Sequence, residues 1–340
     1  MSAKLLVAAL RDPAATKALS TEGWTSLFAA ARGERLIGTL AHRLRGLAMP
    51  ERAARVMDDA RFDAETERRQ ALWEADRACA ALGDPGLPVI LLKGTAYVAA
   101  GLAAGVGRSI GDLDILVPRG RIEAAEATLL AAGWEWVKPD PYDDAYYRRW
   151  MHELPPLIHR TRDRMIDVHH TLLPLTARRR PDAAAMIADA VRLRDGLAIL
   201  SPEDMVCHAA AHMLADGGLE GGLRNLWDIH CLFGEWGGDG GFWDRLDRRA
   251  RHHQLHAPVR QAARLAHALY GTDVPATWRG LTAWDRLCRA RLLSRDGWGC
   301  ERRWLLGKAF YLRSHLLRMP LPMLARHLWT KWRKGYRPAG

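Results

Sequence analysis

The chain has 340 residues, 49% of them apolar, and a formal charge of +11, which excludes a globally disordered chain and leaves room for one large domain or roughly two or three smaller ones. Its five cysteines, Cys79, Cys207, Cys231, Cys288 and Cys300, are scattered and form no CxxC pair, which argues against a disulfide framework or a cysteine zinc site and points to a reducing, cytoplasmic setting. Residues 1–10 lack a signal-peptide pattern, and the most apolar stretch, 88–107, is broken by Lys93 and rich in glycine and alanine, so no transmembrane segment is expected.

Residues 1–83 are rich in alanine, arginine, leucine and glutamate, with Leu36, Leu40 and Leu44 at helical spacing, and read as several helices. The Gly-Asp-Pro-Gly run at 83–86 ends that pattern. Residues 88–92 read as a short buried strand, which Lys93-Gly94 turns into a helix from about 95 to 102. A glycine-rich turn at 105–111 leads to a second strand, 112–117, and a helix over 121–132 is closed by Gly133. Residues 134–137 are a candidate third strand and 138–150 a loop or short helix; 157–159 and 165–170 read as paired strands joined through 160–164. From about 181 the pattern is helical again, interrupted at 234–241, with no internal repeat.

Chemistry concentrates in two of these strands. Asp112 and Asp114 stand two residues apart in an apolar run, and in a strand they share one face. Their Cα atoms are then roughly 7 Å apart, near enough for both carboxylates to grip the same pair of divalent ions. In Met165-Ile166-Asp167-Val168-His169, alternation turns Ile166 and Val168 to one face and Asp167 and His169 to the other. If that strand lies beside 112–117, three carboxylates converge; such a triad binds two Mg²⁺ ions, and Asp167 is placed to orient or deprotonate an attacking hydroxyl. Lys93-Gly94 adds free amides at a helix start that favour phosphate, with glycine allowing close approach. Arg108 offers a bidentate hold on a triphosphate. An isolated Asp-x-Asp is often only a solvated face; the Lys93-Gly94 turn and Asp167 together support the metal reading.

His169 reads as a neighbour that hydrogen-bonds an aspartate rather than as a general base. His208 and His212, four apart on a helix with Asp216 extending the same face, read as a partly buried pair packing on the catalytic domain in preference to a separate zinc site. Asp228 is a candidate to orient one of them. Residues 301–340 hold ten lysines and arginines against the single acidic Glu301, so nearly all of the net charge lies there. Trp304, Phe310, Tyr311, Trp329, Trp332 and Tyr336 are interleaved with these cations. Such a segment can bind a nucleic acid or lie on an anionic membrane surface; the preferred reading is a terminal helix that packs its aromatics on the domain and solvates its charges.

These residues resemble the motif set of the polymerase-β-like nucleotidyltransferase superfamily, and more closely a bacterial family within it. In that family a Leu-Lys-Gly turn is followed by Arg-x-x-x-Asp-x-Asp-x-Leu-Val and then by an Asp-x-His strand. The matches are Leu92-Lys93-Gly94, Arg108 through Val117, and Asp167-Val168-His169. Downstream, His208, His212 and Leu226-Trp227-Asp228-Ile229 are similar to the family's histidine pair and Asp-Ile segment. The resemblance covers residues 85–235 and is silent about the tail.

It implies an α+β fold, a small mixed sheet flanked by helices, with helical N-terminal and C-terminal regions. The expected division is 1–83, a catalytic domain at 84–180, a helical domain at 181–300 and a basic, aromatic tail at 301–340. It further implies two Mg²⁺ ions, with Mn²⁺ as a substitute, held by Asp112, Asp114 and Asp167, and a nucleoside triphosphate donor at Lys93, Gly94, Thr95 and Arg108. The acceptor is a hydroxyl or phosphate on a small molecule, glycan precursor, peptide or protein. One departure stands out: many superfamily members carry Gly-Ser in the turn, whereas Lys93-Gly94-Thr95 keeps the glycine and moves the hydroxyl one place on. Two contrasting functions are a catalytically weak protein of this fold that binds RNA or another polyanion through its tail, and phosphoryl transfer at the same metal site.

Overall fold

The computed structural model describes residues 2–83, 87–137, 140–193, 196–215, 217–219 and 221–318, together with 321, 324, 325, 329 and 333. The chain opens with α1 (Ser2–Arg11), α2 (Thr21–Gly33), α3 (Ile37–Arg43) and the 32-residue α4 (Glu51–Leu82). Ser20 caps α2 by accepting from the Gly23 amide at 3.2 Å, and Leu36, Leu40 and Leu44 are all buried, as their spacing requires. The acidic motifs lie in the next stretch, which forms β1 (Ile90–Leu91), α5 (Lys93–Ala99), β2 (Leu113–Leu116), α6 (Ile122–Ala131), β3 (Trp134–Trp136), α7 (Pro141–Trp150), β4 (Leu157–His159) and β5 (Met165–His169). Then come α8 (Ala183–Ala188), β6 (Val191–Arg192), β7 (Ala198–Ile199), α9 (Pro202–Ala210), α10 (Gly222–Trp236), α11 (Phe242–His252), α12 (His256–Tyr270), α13 (Ala283–Leu292) and α14 (Trp304–Arg318).

Among the described residues there is one seven-stranded mixed sheet, in the order β3-β4-β5-β2-β1-β7-β6. The pairs β2–β5 and β1–β7 are parallel and the rest antiparallel. The fold is therefore mixed α+β with helices on the flanks, as expected. Every residue of the central strand β2 is buried, which explains its almost unbroken apolar run around Asp114. The reading of residues from about 181 as helical apart from 234–241 is corrected: β7 extends the sheet through parallel pairing with β1, and β6 pairs antiparallel with β7. Two-residue strands carry too few positions to show alternation, so pairing rather than periodicity defines them. Residues 138 and 139 lie outside the described residues, and the rest of the stretch read as loop or short helix is mostly α7.

The long helix α4 spans about 48 Å and is tied to the sheet at two points. Glu67 accepts from the Ile110 amide at 2.9 Å, and Glu74 is held by Arg162 Nη2 at 2.6 Å in the turn between β4 and β5. At the other end of the chain, α14 packs Phe310 against Trp284, with ring centroids 5.4 Å apart. The expectation that the tail buries its aromatics fails for Trp304, Tyr311 and Trp329, which are exposed along with Leu305 and Leu312; Trp332 and Tyr336 lie outside the described residues. None of the five cysteines is joined in a disulfide, and among the described residues no helix is long and apolar enough to cross a membrane.

Candidate functional site

Parallel pairing of β2 with β5 sets Asp114 opposite Asp167. Asp112, two residues before Asp114, joins them, and one ligand oxygen from each of the three lies within 4.8 Å of the others. The environments differ: Asp112 is exposed, Asp114 buried and Asp167 half-buried. Burial alone would raise the Asp114 carboxyl, but the Lys93 ammonium at 2.5 Å and the His169 Nε2–H donating at 3.0 Å outweigh it and hold it well below the usual carboxylate range. Asp167 goes the other way. Burial, then the charges of Asp114 and Glu153, push it up to about 7 despite His169 nearby. The cluster thus carries more negative charge than its own cations neutralise, the electrostatic setting in which a divalent ion is favoured.

Lys93 reaches Asp114 from an unusual backbone. Leu92 ends β1 in extended geometry, and Lys93 then takes φ 47°, the left-handed region that a non-glycine residue enters at a cost, before α5 continues. The Leu92 amide donates to the Asp114 carbonyl at 3.0 Å, so the turn and the acidic strand are laced together. Burial pulls the Lys93 ammonium down, but Asp114, Asp112 and Glu153 more than offset it, and its pKa is raised. The helix therefore begins at Lys93, two residues earlier than the sequence pattern indicates.

Gly94 is a point of close approach. A methyl there would stand 1.9 Å from Arg108 Nη1, because the Arg108 guanidinium lies across the turn, over the Tyr97 ring at 5.4 Å. Arg108, expected at a triphosphate, is buried and donates through Nε to Asp228 Oδ2 at 3.0 Å. Asp228, expected to orient a histidine, is the partner of that arginine. Thr95 is buried, with its hydroxyl lacking a hydrogen-bond partner among the described residues.

His208 on α9 and His212 in the π-helical turn Ala211–Ala215 line a small cavity together with Lys93, Tyr97, Arg108 and Asp228. Burial, reinforced by the Lys93 charge, pushes His208 down to about 3 and His212 well below the ordinary range, so both are neutral. Asp216, which would extend their face, lies outside the described residues. Two residues near the carboxylates went unnoticed in the sequence: Glu153 Oε2 is 3.3 Å from His169 Nδ1 and 3.5 Å from His152 Nε2. Their only sequence signal is a His-Glu pair shortly before the strand-forming Leu157, with no periodicity to single it out.

The family described as uncharacterised nucleotidyltransferase matches residues 20–271. No curated protein and no solved structure matches the chain. The matched stretch takes in every strand of the sheet and the Asp112, Asp114 and Asp167 cluster, and so the chain belongs to this nucleotidyltransferase family and is an enzyme of that class.

Proposed function

We propose that the protein moves a nucleotidyl group from a nucleoside triphosphate to a hydroxyl or phosphate acceptor, with the polymerase-β-like site made of Asp112, Asp114 and Asp167. The observation that carries this reading is the meeting of Asp114 and Asp167 on neighbouring strands with Asp112 just before β2, their ligand oxygens within 4.8 Å. The donor set is all oxygen and over-charged, which fits Mg²⁺, with Mn²⁺ as a substitute. Bound there, the ions would neutralise the triphosphate and stabilise charge on the attacking and leaving oxygens.

The chain's own groups divide the remaining work. Asp167, pushed up to about 7, orients the acceptor hydroxyl and takes its proton as the oxygen attacks the α-phosphorus; the bond to the bridging oxygen breaks and pyrophosphate leaves. Lys93 supplies positive charge for the phosphates beside Asp114. His169 keeps Asp114 in orientation through its 3.0 Å bond. Arg108 and Asp228 brace the Gly94 turn from behind.

Calorimetric titration of non-hydrolysable nucleoside triphosphates with Mg²⁺ tests this, using the intact protein and the Asp112→Asn/Asp167→Asn variant. Metal-dependent binding by the intact protein that is lost in the variant is expected; no metal-dependent binding by either would overturn the assignment. Product mass then separates nucleotidyl from phosphoryl transfer.

A second reading concerns a partner. Helix α14 is apolar on two faces: Leu306 and Phe310 pack inward, while Trp304, Leu305, Tyr311 and Leu312 stand bare among Lys308 and neighbouring arginines. That combination supports an anionic membrane surface as partner of residues 301–340. Co-sedimentation with phosphatidylserine vesicles, absent with phosphatidylcholine alone and abolished by Leu305→Glu/Leu312→Glu, is the expected result; equal recovery with both vesicle types would exclude it.

A further inference from the structure

Beside the all-oxygen cluster lies a group of different chemistry. One ligand atom each from His152, Glu153 and His169 lies within 4.8 Å of the others. Glu153 Oε2 stands 3.3 Å from His169 Nδ1 and 3.5 Å from His152 Nε2. Charge-assisted hydrogen bonds between such groups run at about 2.7–2.9 Å, so both contacts are long for ion pairs. They do correspond to the edges of a coordination tetrahedron, since ligands about 2.05 Å from a zinc ion are about 3.3–3.4 Å from one another.

Three further observations fit a metal. First, the His169 Nε2–H donates to Asp114 Oδ1 at 3.0 Å, which turns Nδ1 toward Glu153, where an arriving ion would take the place of the Nδ1 proton; a carboxylate behind a histidine is how ligating imidazoles are fixed in tautomer and orientation. Second, the donors sit on paired backbone. Glu153 bridges His169, the His170 amide donates to the His152 carbonyl at 2.9 Å, and the Leu154 amide donates to the Val168 carbonyl at 3.0 Å, so the group is held in place before any ion arrives. Third, the His152 and Glu153 side chains are 19% and 18% exposed, which leaves a route for an ion and for a further ligand from solvent.

We propose that His152 Nε2, Glu153 Oε2 and His169 Nδ1 form a binding site for one zinc-class transition ion, separate from the carboxylate cluster and linked to it through the His169–Asp114 bond. Two imidazoles and one carboxylate suit Zn²⁺, Co²⁺ or a similar ion and discriminate against Mg²⁺, which prefers oxygen alone. The ion would fix His169, and through it the orientation of Asp114.

The test uses the full chain stripped with chelator and then given Zn²⁺ in the presence of excess Mg²⁺, which keeps the carboxylate cluster occupied. Bound zinc is counted by elemental analysis after dialysis, and Co²⁺ is followed by the intense visible absorption of a tetrahedral or five-coordinate site. One ion per chain is expected, with affinity falling more than about 100-fold in His152→Ala, beyond what loss of an outer-shell partner costs, and retained in Asp112→Asn. Glu153→Gln provides a second probe should His152→Ala melt early in the metal-free state. Absence of zinc binding by the intact chain overturns the proposal, as does binding that survives both His152→Ala and Glu153→Gln or is lost in Asp112→Asn.

Discussion

Replacing Gly94 with alanine puts two physical effects in opposition, and the structure decides the sign. Gly94 lies in α5 and is not among the glycines with left-handed backbone, so helix propensity alone predicts that alanine stabilises by about 1 kcal/mol. The new methyl, however, would stand 1.9 Å from Arg108 Nη1 and 2.8 Å from its Cζ. The guanidinium has nowhere to retreat: it is bound to Asp228 at 3.0 Å, and the two side chains are only 6% and 5% exposed. Displacing one member of a buried ion pair costs about 3–5 kcal/mol, which leaves a net loss of about 2–4 kcal/mol once propensity is credited. Urea unfolding of Gly94→Ala, Arg108→Ala and the double variant measures it. With Arg108 already truncated the obstruction is gone, and Gly94→Ala should then stabilise by about 1 kcal/mol from propensity alone, giving a coupling energy of about 3–5 kcal/mol. A Gly94→Ala protein more stable than its parent, or one whose loss is the same in both backgrounds, would exclude a clash with the Arg108 guanidinium as the source of the loss.

Phe310→Ala should destabilise by about 3–5 kcal/mol, whereas Leu312→Ala, on the same helix, should stay within about 0.5 kcal/mol, because Phe310 is 2% exposed and Leu312 52%; equal melting shifts would contradict the packing of α14. Asp204 is buried, which favours its neutral form, yet bidentate donation from Arg249 at 2.6 Å and a bond from His253 at 2.9 Å outweigh burial and lower its pKa. Its stabilisation is therefore present above the unfolded value of about 3.9 and lost as pH falls through the lower folded value, so the deficit of Asp204→Asn at pH 7 should shrink under acid; a pH-independent deficit would exclude the ion pair as its source. Asp167, pushed up to about 7, behaves oppositely: its ionisation penalises the metal-free fold increasingly from about pH 4 to 7. In chelator, Asp167→Asn should be more stable than the parent at pH 8 and indistinguishable from it near pH 4, as thermal melts across that range would show, and a reversed trend would argue against a crowded carboxylate cluster.

Much of the site was legible because its residues announce themselves locally. Asp112-Leu113-Asp114 and Ile166-Asp167-Val168 alternate with apolar neighbours, and period-two patterning translates directly into shared faces. What alternation does not contain is the partner of each side chain. Arg108 reads as a phosphate ligand from its place four residues before Asp112, yet a buried guanidinium goes wherever a buried carboxylate awaits it, here Asp228 on α10, 120 residues away. Glu153 was missed for the related reason that its importance comes from a single bridge to His169, a long-range pairing that leaves no local trace. The strands β6 and β7 were missed because two-residue elements owe their existence to the edge they extend.

The helix α4 contributes no side chain to the chemistry, yet it functions as a ruler for it. Its two anchors, Glu67 on the loop that enters β2 and Glu74 on the turn that enters β5, are two helical turns apart, a separation of about 10 Å that a rigid helix holds constant. The gauge of the acidic cluster is consequently written in a segment remote from it in sequence. Deleting one residue between the anchors would turn them by about 100° relative to each other, so that the two strands could not both keep their ties, and the calibration of the site would be lost with every one of its carboxylates still present.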